Sequence, residues 1–232
     1  MTINLTTRRS RKKSLGFYTT VEASRIAQVP LWTMNSWKYN GIIIPSVKWI
    51  DETNKEHLGH SFETVVYIRL LRLIREKGIS LYNAVVAIKR IKDRFGYPGK
   101  NWADAQIFSD GKDVYVYDKR DSYETTDLSK QHQKVAERIF GDEFIRLRER
   151  ADALLIPQQF MDYVEIDPAI QNGLPIIINS TMLTSAIHNL FKQCYGYSEI
   201  KEMYPFLPNN KIVGAEAYET FLDNNKDKIN SN

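Results

Sequence analysis

The sequence predicts a mainly α-helical protein with an N-terminal winged helix-turn-helix domain, a central β-hairpin and helix, and a small C-terminal three-helix domain with short β-strands. Three observations lead there. Apolar residues recur at helical spacing, between capping residues and Gly or Pro stops, along most of the chain. The period breaks at IFSDGKDVYVYD, where Asp110-Gly111 lies between β-prone residues. The charge is divided: residues 1–100 hold 18 Lys+Arg against 7 Asp+Glu and the remainder 14 against 21, so a front half of +11 and a rear half of −7 make up the net +4.

A chain of 232 residues with 43% hydrophobic and 26% charged residues has the composition of an ordinary soluble protein. No apolar run approaches the roughly 20 residues that cross a bilayer, so no membrane contact is expected. Met1 to Leu15 is basic with no apolar stretch behind it, unlike a secretory signal. The single Cys194 excludes an internal disulfide framework and a thiolate zinc site, which fits a cytoplasmic protein. A basic front half suits a polyanion, because each neutralised phosphate releases condensed counterions.

Residues 1–16 form the first unit. Arg8, Arg9, Arg11, Lys12 and Lys13 stand there with almost nothing to bury, which predicts a disordered arm able to lie along phosphates or enter a minor groove. A solvated tail without a role is the alternative.

Residues 17–100 form the second. Thr19 followed by Glu22 is a capping box and starts a helix whose Ala23, Ile26 and Ala27 make a narrow apolar stripe. Pro30 ends that helix and opens another, which Gly41 stops. In this second helix Leu31, Met34 and Trp37 are placed inward. Trp32, Ser36 and Tyr39 point away, with Thr33 and Asn35 on the flanks and Lys38 at the border. Amide, hydroxyl and aromatic groups on one outward face have the chemistry to read base edges in a major groove. The following IIIPSVKWI reads as a wing, with Lys48 placed to meet a backbone phosphate.

Two longer helices complete this core. Ser61 caps one carrying Phe62, Val65, Val66, Leu70, Leu73 and Ile74 up to Gly78; Ser80 caps the next, with Leu81, Ala84, Val85, Ile88, Ile91 and Phe95 inward and Lys89, Arg90, Lys92 and Arg94 mostly outward. Ile68 and Leu71 lie off the main stripe, and their extra apolar arc suggests a dimer contact.

Residues 101–157 are a connector: the Asp110-Gly111 hairpin, a polar loop from Lys119 to Asp127, and a helix from about Ser129 to Arg150. Pro157 with Gln158 and Gln159 marks a joint. Residues 158–223 then read as a strand at VEI, a turn at Asp167-Pro168, a strand at Ile176 to Ile178, and three short helices divided by Gly196 and Pro208. Their apolar positions are Met182, Ala186, Leu190, Ile200, Met203, Ile212, Ala215 and Phe221, with a mainly acidic exterior. The tail 224–232 is expected to fray.

Catalytic chemistry is not indicated, and neither a cofactor nor a metal is expected. His57 and His60 stand three apart in what reads as a polar connection, without a third ligand nearby. His132 and His188 are single residues on helices. No nucleophile elbow, P-loop or dinucleotide fingerprint is present.

Two stretches carry a family likeness. Tyr18 to Gly41 resembles the MerR-like helix-turn-helix of bacterial regulators, with its capped first helix, Val29 before the turn, and Trp37 and Gly41 closing the recognition helix. Val164 to Phe221 looks like a small domain that recurs in antitoxin-like proteins, with the turn Ile166-Asp167-Pro168, then Gly173, Pro175 and Ile177, and later Gly196, Tyr197, Ser198 and Ile200. With Phe108 to Gly111 between them, the whole resembles VapB-type antitoxins. The likeness implies a regulator that binds its own operator in double-stranded DNA and neutralises a small toxin, often a PIN-like ribonuclease. Two departures stand out: Asn179, Ser180 and Thr181 replace the family's Gly-Thr-Arg, and Asn35 replaces a common arginine.

A homodimer is expected because operators present paired half-sites. By charge alone the toxin is expected on the acidic terminal domain, since many toxins that act on RNA carry basic active-site clefts. The second reading is a free-standing regulator, or an interaction scaffold, without a toxin partner.

Overall fold

A computed structural model describes residues 16–98, 102, 105–109, 114–118, 137–140, 146–147 and 150–229. The basic arm up to residue 15, the hairpin turn 110–113, the loop 119–127 and His132 lie outside the described residues.

Helices α1 (Thr20–Ile26) and α2 (Leu31–Tyr39) form the helix-turn-helix. The turn between them is pinned by Ser24, whose hydroxyl donates to the Val29 carbonyl at 2.6 Å while Val29 N–H donates back to Ser24 O at 2.9 Å. The wing follows as an antiparallel hairpin of β1 (Val47–Ile50) and β2 (Glu56–Gly59), with Lys48 opposite Leu58 and Ile50 opposite Glu56. Helices α3 (Phe62–Glu76) and α4 (Leu81–Phe95) are capped by Ser61 and Ser80 and bury their apolar faces, as their spacing predicts.

Ile68 and Leu71 are corrected: both are 0% exposed within a single chain, so they offer no dimer contact. The connector meets α3 at Arg69. Leu154, Leu155 and Ile156 join the same core, and Arg69 Nε donates to Leu154 O at 3.2 Å. Lys92 is also turned in rather than out. Its ammonium stands 3.8 Å from the buried Glu63 carboxylate and 5.4 Å from the Tyr67 ring, which lets its stem pack while its charge stays compensated.

The connector holds a three-stranded antiparallel sheet in the order β4-β3-β5, from β3 (Ala105–Ser109), β4 (Val114–Asp118) and β5 (Glu137–Phe140). The hairpin expected around Asp110-Gly111 is β3–β4, with Ser109 opposite Val114. The helix expected from Ser129 to Arg150 is corrected over Glu137–Phe140, which is strand. Pairing with the open edge of β3 satisfies that strand's second row of backbone groups, and this tertiary gain overrides local helix preference.

In the C-terminal part β6 (Val164–Glu165) and β7 (Ile176–Ile177) pair antiparallel, followed by α5 (Thr184–Lys192), α6 (Tyr197–Met203) and α7 (Asn209–Ile229). Met203, expected inward, is the last residue of α6 and is 43% exposed. The third helix is not short. It runs past Asn224 to Ile229, since no Gly or Pro interrupts that stretch.

Helix α7 joins two cores. Ile212 and Ala215 pack with Ile177, Ile187, Ile200 and Leu207, whereas Tyr218 and Leu222 belong to the large core that includes α1, α3 and α4. Gly214 permits this crossing: a Cβ there would lie 2.6 Å from Tyr163 Cβ and nearer still to its ring.

Candidate nucleic-acid interface

Helix α2 is divided lengthwise. Met34 and Trp37 are buried against α1, while Trp32 is 58% and Tyr39 91% exposed, with Asn35 and Ser36 between them on the same side. Positions i, i+3, i+4 and i+7 make one stripe on a helix, so these four side chains form a continuous outward strip. Thr33 is half-buried and Lys38 exposed beside it. Leu31 is corrected: it is 42% exposed, because at the first helical position its side chain leans beyond the turn that α1 covers. Asn40, absent from the sequence-based set, extends the strip. Its amide donates to Ser36 O at 2.9 Å, closing the helix, and the Asn40-Gly41 stop was the signal that could have drawn attention to it.

The wing is anchored to the helices at its root. Tyr18 and His60 exchange backbone hydrogen bonds of 3.0 and 2.8 Å, Ser46 N–H donates to Gly59 O at 2.9 Å, and Ile42 N–H donates to Trp37 O at 2.8 Å. His57 and His60 are corrected from a polar connection to this hairpin and its end. His57 stacks on Trp49 with ring centroids 4.9 Å apart, and His60 is fully buried. Burial pushes His60 down to about 4, with the Lys38 charge adding to it, so His60 is neutral at pH 7. Among the described residues no three of His, Cys, Asp and Glu converge to hold a metal ion.

Asp51 organises the wing tip. It accepts from Thr53 N–H at 2.8 Å, the Thr53 hydroxyl at 2.6 Å and Lys55 N–H at 3.0 Å, and stands 2.6 Å from His57 Nε2. The Thr53 hydroxyl first, then His57, hold its carboxyl well below the usual carboxylate range. A depressed folded-state value means the ordering is present above the ordinary carboxylate range, about pH 4, and is lost as pH falls through the depressed value. Asp51→Asn is therefore expected to speed amide exchange at Thr53 and Lys55 at neutral pH; unchanged exchange would remove Asp51 from this role.

Among the described residues, the cations are less concentrated on this face than the sequence suggests. Lys48 lies on the exposed side of β1, but its ammonium bonds Glu56 across the hairpin at 2.7 Å. Such an exposed pair is worth only about 0.2–1 kcal/mol, so a phosphate can displace the carboxylate. The wing tip also carries Asp51 and Glu52 against Lys55. Arg8, Arg9, Arg11, Lys12 and Lys13 lie outside the described residues. The exposed Lys89, Arg90 and Arg94 are on α4, outside the helix-turn-helix.

Arg25, on α1, turns toward the C-terminal part instead. Its Nη2 stands 2.6 Å from Glu219 Oε2 and 2.9 Å from Asp223 Oδ1, and donates to Glu219 O at 3.2 Å. Around this clamp, His188 meets Glu216 at 2.8 Å and Asp223 at 3.2 Å, Lys192 donates to Asp223 at 2.8 Å, and the Thr184 hydroxyl donates to Glu219 Oε1. His188 is thus not the single residue that the sequence suggested. Burial alone would push Asp223 up; hydrogen bonds from Lys192, Arg25 and His188, with the Arg25 charge, outweigh it and hold the carboxyl well below its ordinary range.

No family model matches the chain. It is 26% identical over 93 residues to an uncharacterized HTH-type transcriptional regulator, Rv1830, of Mycobacterium tuberculosis strain H37Rv, and equally to one of Mycobacterium bovis. The match spans 40% of this chain and 40% of the length of those relatives. The fold is similar to the crystal structure of Rv2018 from Mycobacterium tuberculosis, with a TM-score of 0.52 and 16% identity, over 89% of this chain and 99% of that one. No helix among the described residues is long and apolar enough to cross a membrane.

Proposed function

We propose that the chain is a DNA-binding transcription regulator of the antitoxin type. It binds operator DNA as a homodimer through α2, the wing and the basic arm, neutralises a small toxin through its acidic C-terminal part, and has no catalytic activity of its own. The observation that carries DNA binding is the outward strip of Trp32, Asn35, Ser36 and Tyr39. An aromatic 91% exposed beside amide and hydroxyl groups, on a helix whose opposite side is locked in the core, is a surface made for a partner. The distant HTH-type relatives agree with it. The toxin rests on the likeness of the C-terminal segment to antitoxin-like proteins and on the net −7 of the rear half.

Gel retardation on the DNA upstream of the reading frame tests the first part. Specific retardation is expected, with log affinity falling linearly and steeply with log salt; equal binding to random DNA at every salt concentration contradicts it. Co-purification with the product of the adjacent reading frame tests the second, and retardation without any such partner leaves a free-standing regulator. Light scattering showing monomer with and without DNA would remove the homodimer.

A further inference from the structure

Among the described residues Arg69 has no counterion. It stands on α3 between Ile68 and Leu70, both 0% exposed, and is itself only partly exposed. A guanidinium carries five N–H donors. Arg69 uses one, from Nε to Leu154 O at 3.2 Å, and no carboxylate among the described residues pairs with it. Its neighbour one turn on is another cation, Arg72. Residues three apart on a helix lie side by side, so Arg72 repels Arg69 rather than relieving it. Burial first, then Arg72, push Arg69 down to about 10, against an opposite pull from Glu76 and Tyr218. It is still a cation at pH 7.

The donors around it lack acceptors too. Arg72 Nε donates to Glu76 at 2.6 Å, but Arg72 Nη1 is buried with no partner. The buried Tyr218 hydroxyl, on α7, likewise has none, and it is close enough to Arg69 for each group to bear on the other's charge. The carboxylates of this region are engaged: Glu76 by Arg72, and Asp152 by Arg150 at 2.7 Å and by Ile166 N–H at 2.6 Å. Arg69 and Arg72 against Glu76 therefore leave one positive charge uncompensated.

Withdrawing a cation from water without a partner is costly, and an apolar side chain of similar length would fill the same place without that cost. A ligand that supplies the missing acceptors accounts for the arrangement. We infer that Arg69, Arg72 Nη1 and the Tyr218 hydroxyl line a site for a small phosphate-bearing molecule, at the seam of α3, α7 and the connector. The partial exposure of Arg69 gives such a molecule access. A tetrahedral oxyanion suits better than a planar carboxylate, because the donors come from two helices rather than from one plane. Guanidinium forks match phosphate oxygens in addition. The inference does not depend on DNA binding, since α2 and the wing take no part in the site.

Thermal unfolding of the full chain at pH 7, without DNA, tests it in sodium phosphate, sulfate, acetate and chloride at matched ionic strength. Wild type is expected to gain about 3–6 °C in midpoint over chloride with inorganic phosphate at about ten times its dissociation constant. Sulfate should act alike and acetate much less. Arg69→Met should be at least as stable as wild type in chloride, because an unpaired cation has become an apolar side chain. In phosphate it should keep only the general stabilisation that excluded salts give any protein. Tyr218→Phe removes a hydroxyl that has no partner, so it should leave stability in chloride unchanged and lose part of the phosphate gain.

A phosphate gain as large in Arg69→Met as in wild type is a general salt effect and overturns the inference. So does an Arg69→Met chain that is destabilised in chloride or does not fold while Tyr218→Phe keeps the full gain, because Arg69 is then a structural group only. An acetate gain equal to that of phosphate overturns the tetrahedral assignment.

Discussion

Truncating Arg25 to alanine is expected to lower the unfolding free energy by about 3 kcal/mol, the lower end of the cost of breaking a buried ion pair from one side. The side chain of Glu219 is only 2% exposed, and its neighbours are Arg25 and the Thr184 hydroxyl. Without the guanidinium its carboxylate is left in the core with a single neutral donor. Arg25 itself is 18% exposed, so water reaches part of the gap, and the lower end of the range applies. Urea unfolding of the variant should show a lower midpoint with an unchanged slope. Glu219→Gln in the Arg25→Ala background should recover part of the loss, because an amide costs less to bury than an unpaired carboxylate. Simple additivity of the two substitutions would show that the pair is not coupled. The clamp also has a pH signature. Asp223 is held below its ordinary range, so its contribution is present above about pH 4 and lost as pH falls through the depressed value. That acid sensitivity should be weaker in the Arg25 variant, which lacks one of the groups that stabilise the carboxylate.

The helix-turn-helix, the wing and the two long helices were legible because their signals are local. Thr19 with Glu22 is a capping box in the structure, Ser61 and Ser80 cap their helices, and Gly41 and Gly78 take positive φ directly after theirs. What the sequence concealed depends on distant partners. Glu137–Phe140 looks helical in isolation and becomes a strand because β3 offers a free edge. Ile68 and Leu71 look surplus until they are seen fully buried in a core that residues 154–156 also join. Arg25 reads as one more cation of a basic front half, yet it spends its charge on α7 across 194 and 198 residues of sequence. The candidate strip on α2 was legible by periodicity, since the opposite side carries Met34 and Trp37. Net charge was a poorer guide: counting residues shows how many cations the front half has, whereas ion pairing and the packing of Lys92 and Arg25 determine how many remain available to a phosphate.

That distinction leads to different losses for two groups of substitutions in the candidate interface. Asn35→Ala or Ser36→Ala should cost roughly 1–3 kcal/mol on the preferred DNA site and little on random DNA, because removing a base-edge hydrogen bond weakens discrimination while leaving the phosphate contacts intact. Removing the charges of Arg8, Arg9 and Lys12 should weaken binding to every sequence alike and make the salt slope shallower by up to about 0.9 for each phosphate left unneutralised. Lys48→Ala belongs to the second group but should have the smallest effect in it, since in the free protein its ammonium is already held by Glu56 at 2.7 Å and must exchange one anion for another. Glu56→Gln should then strengthen binding to all sequences, by freeing Lys48 and removing a negative charge from the wing. Titrations of specific and random duplexes at several salt concentrations separate the groups. If Asn35 and Arg8 variants lose affinity equally on both duplexes, the α2 strip contributes only to general affinity; base reading must then be sought elsewhere on the protein.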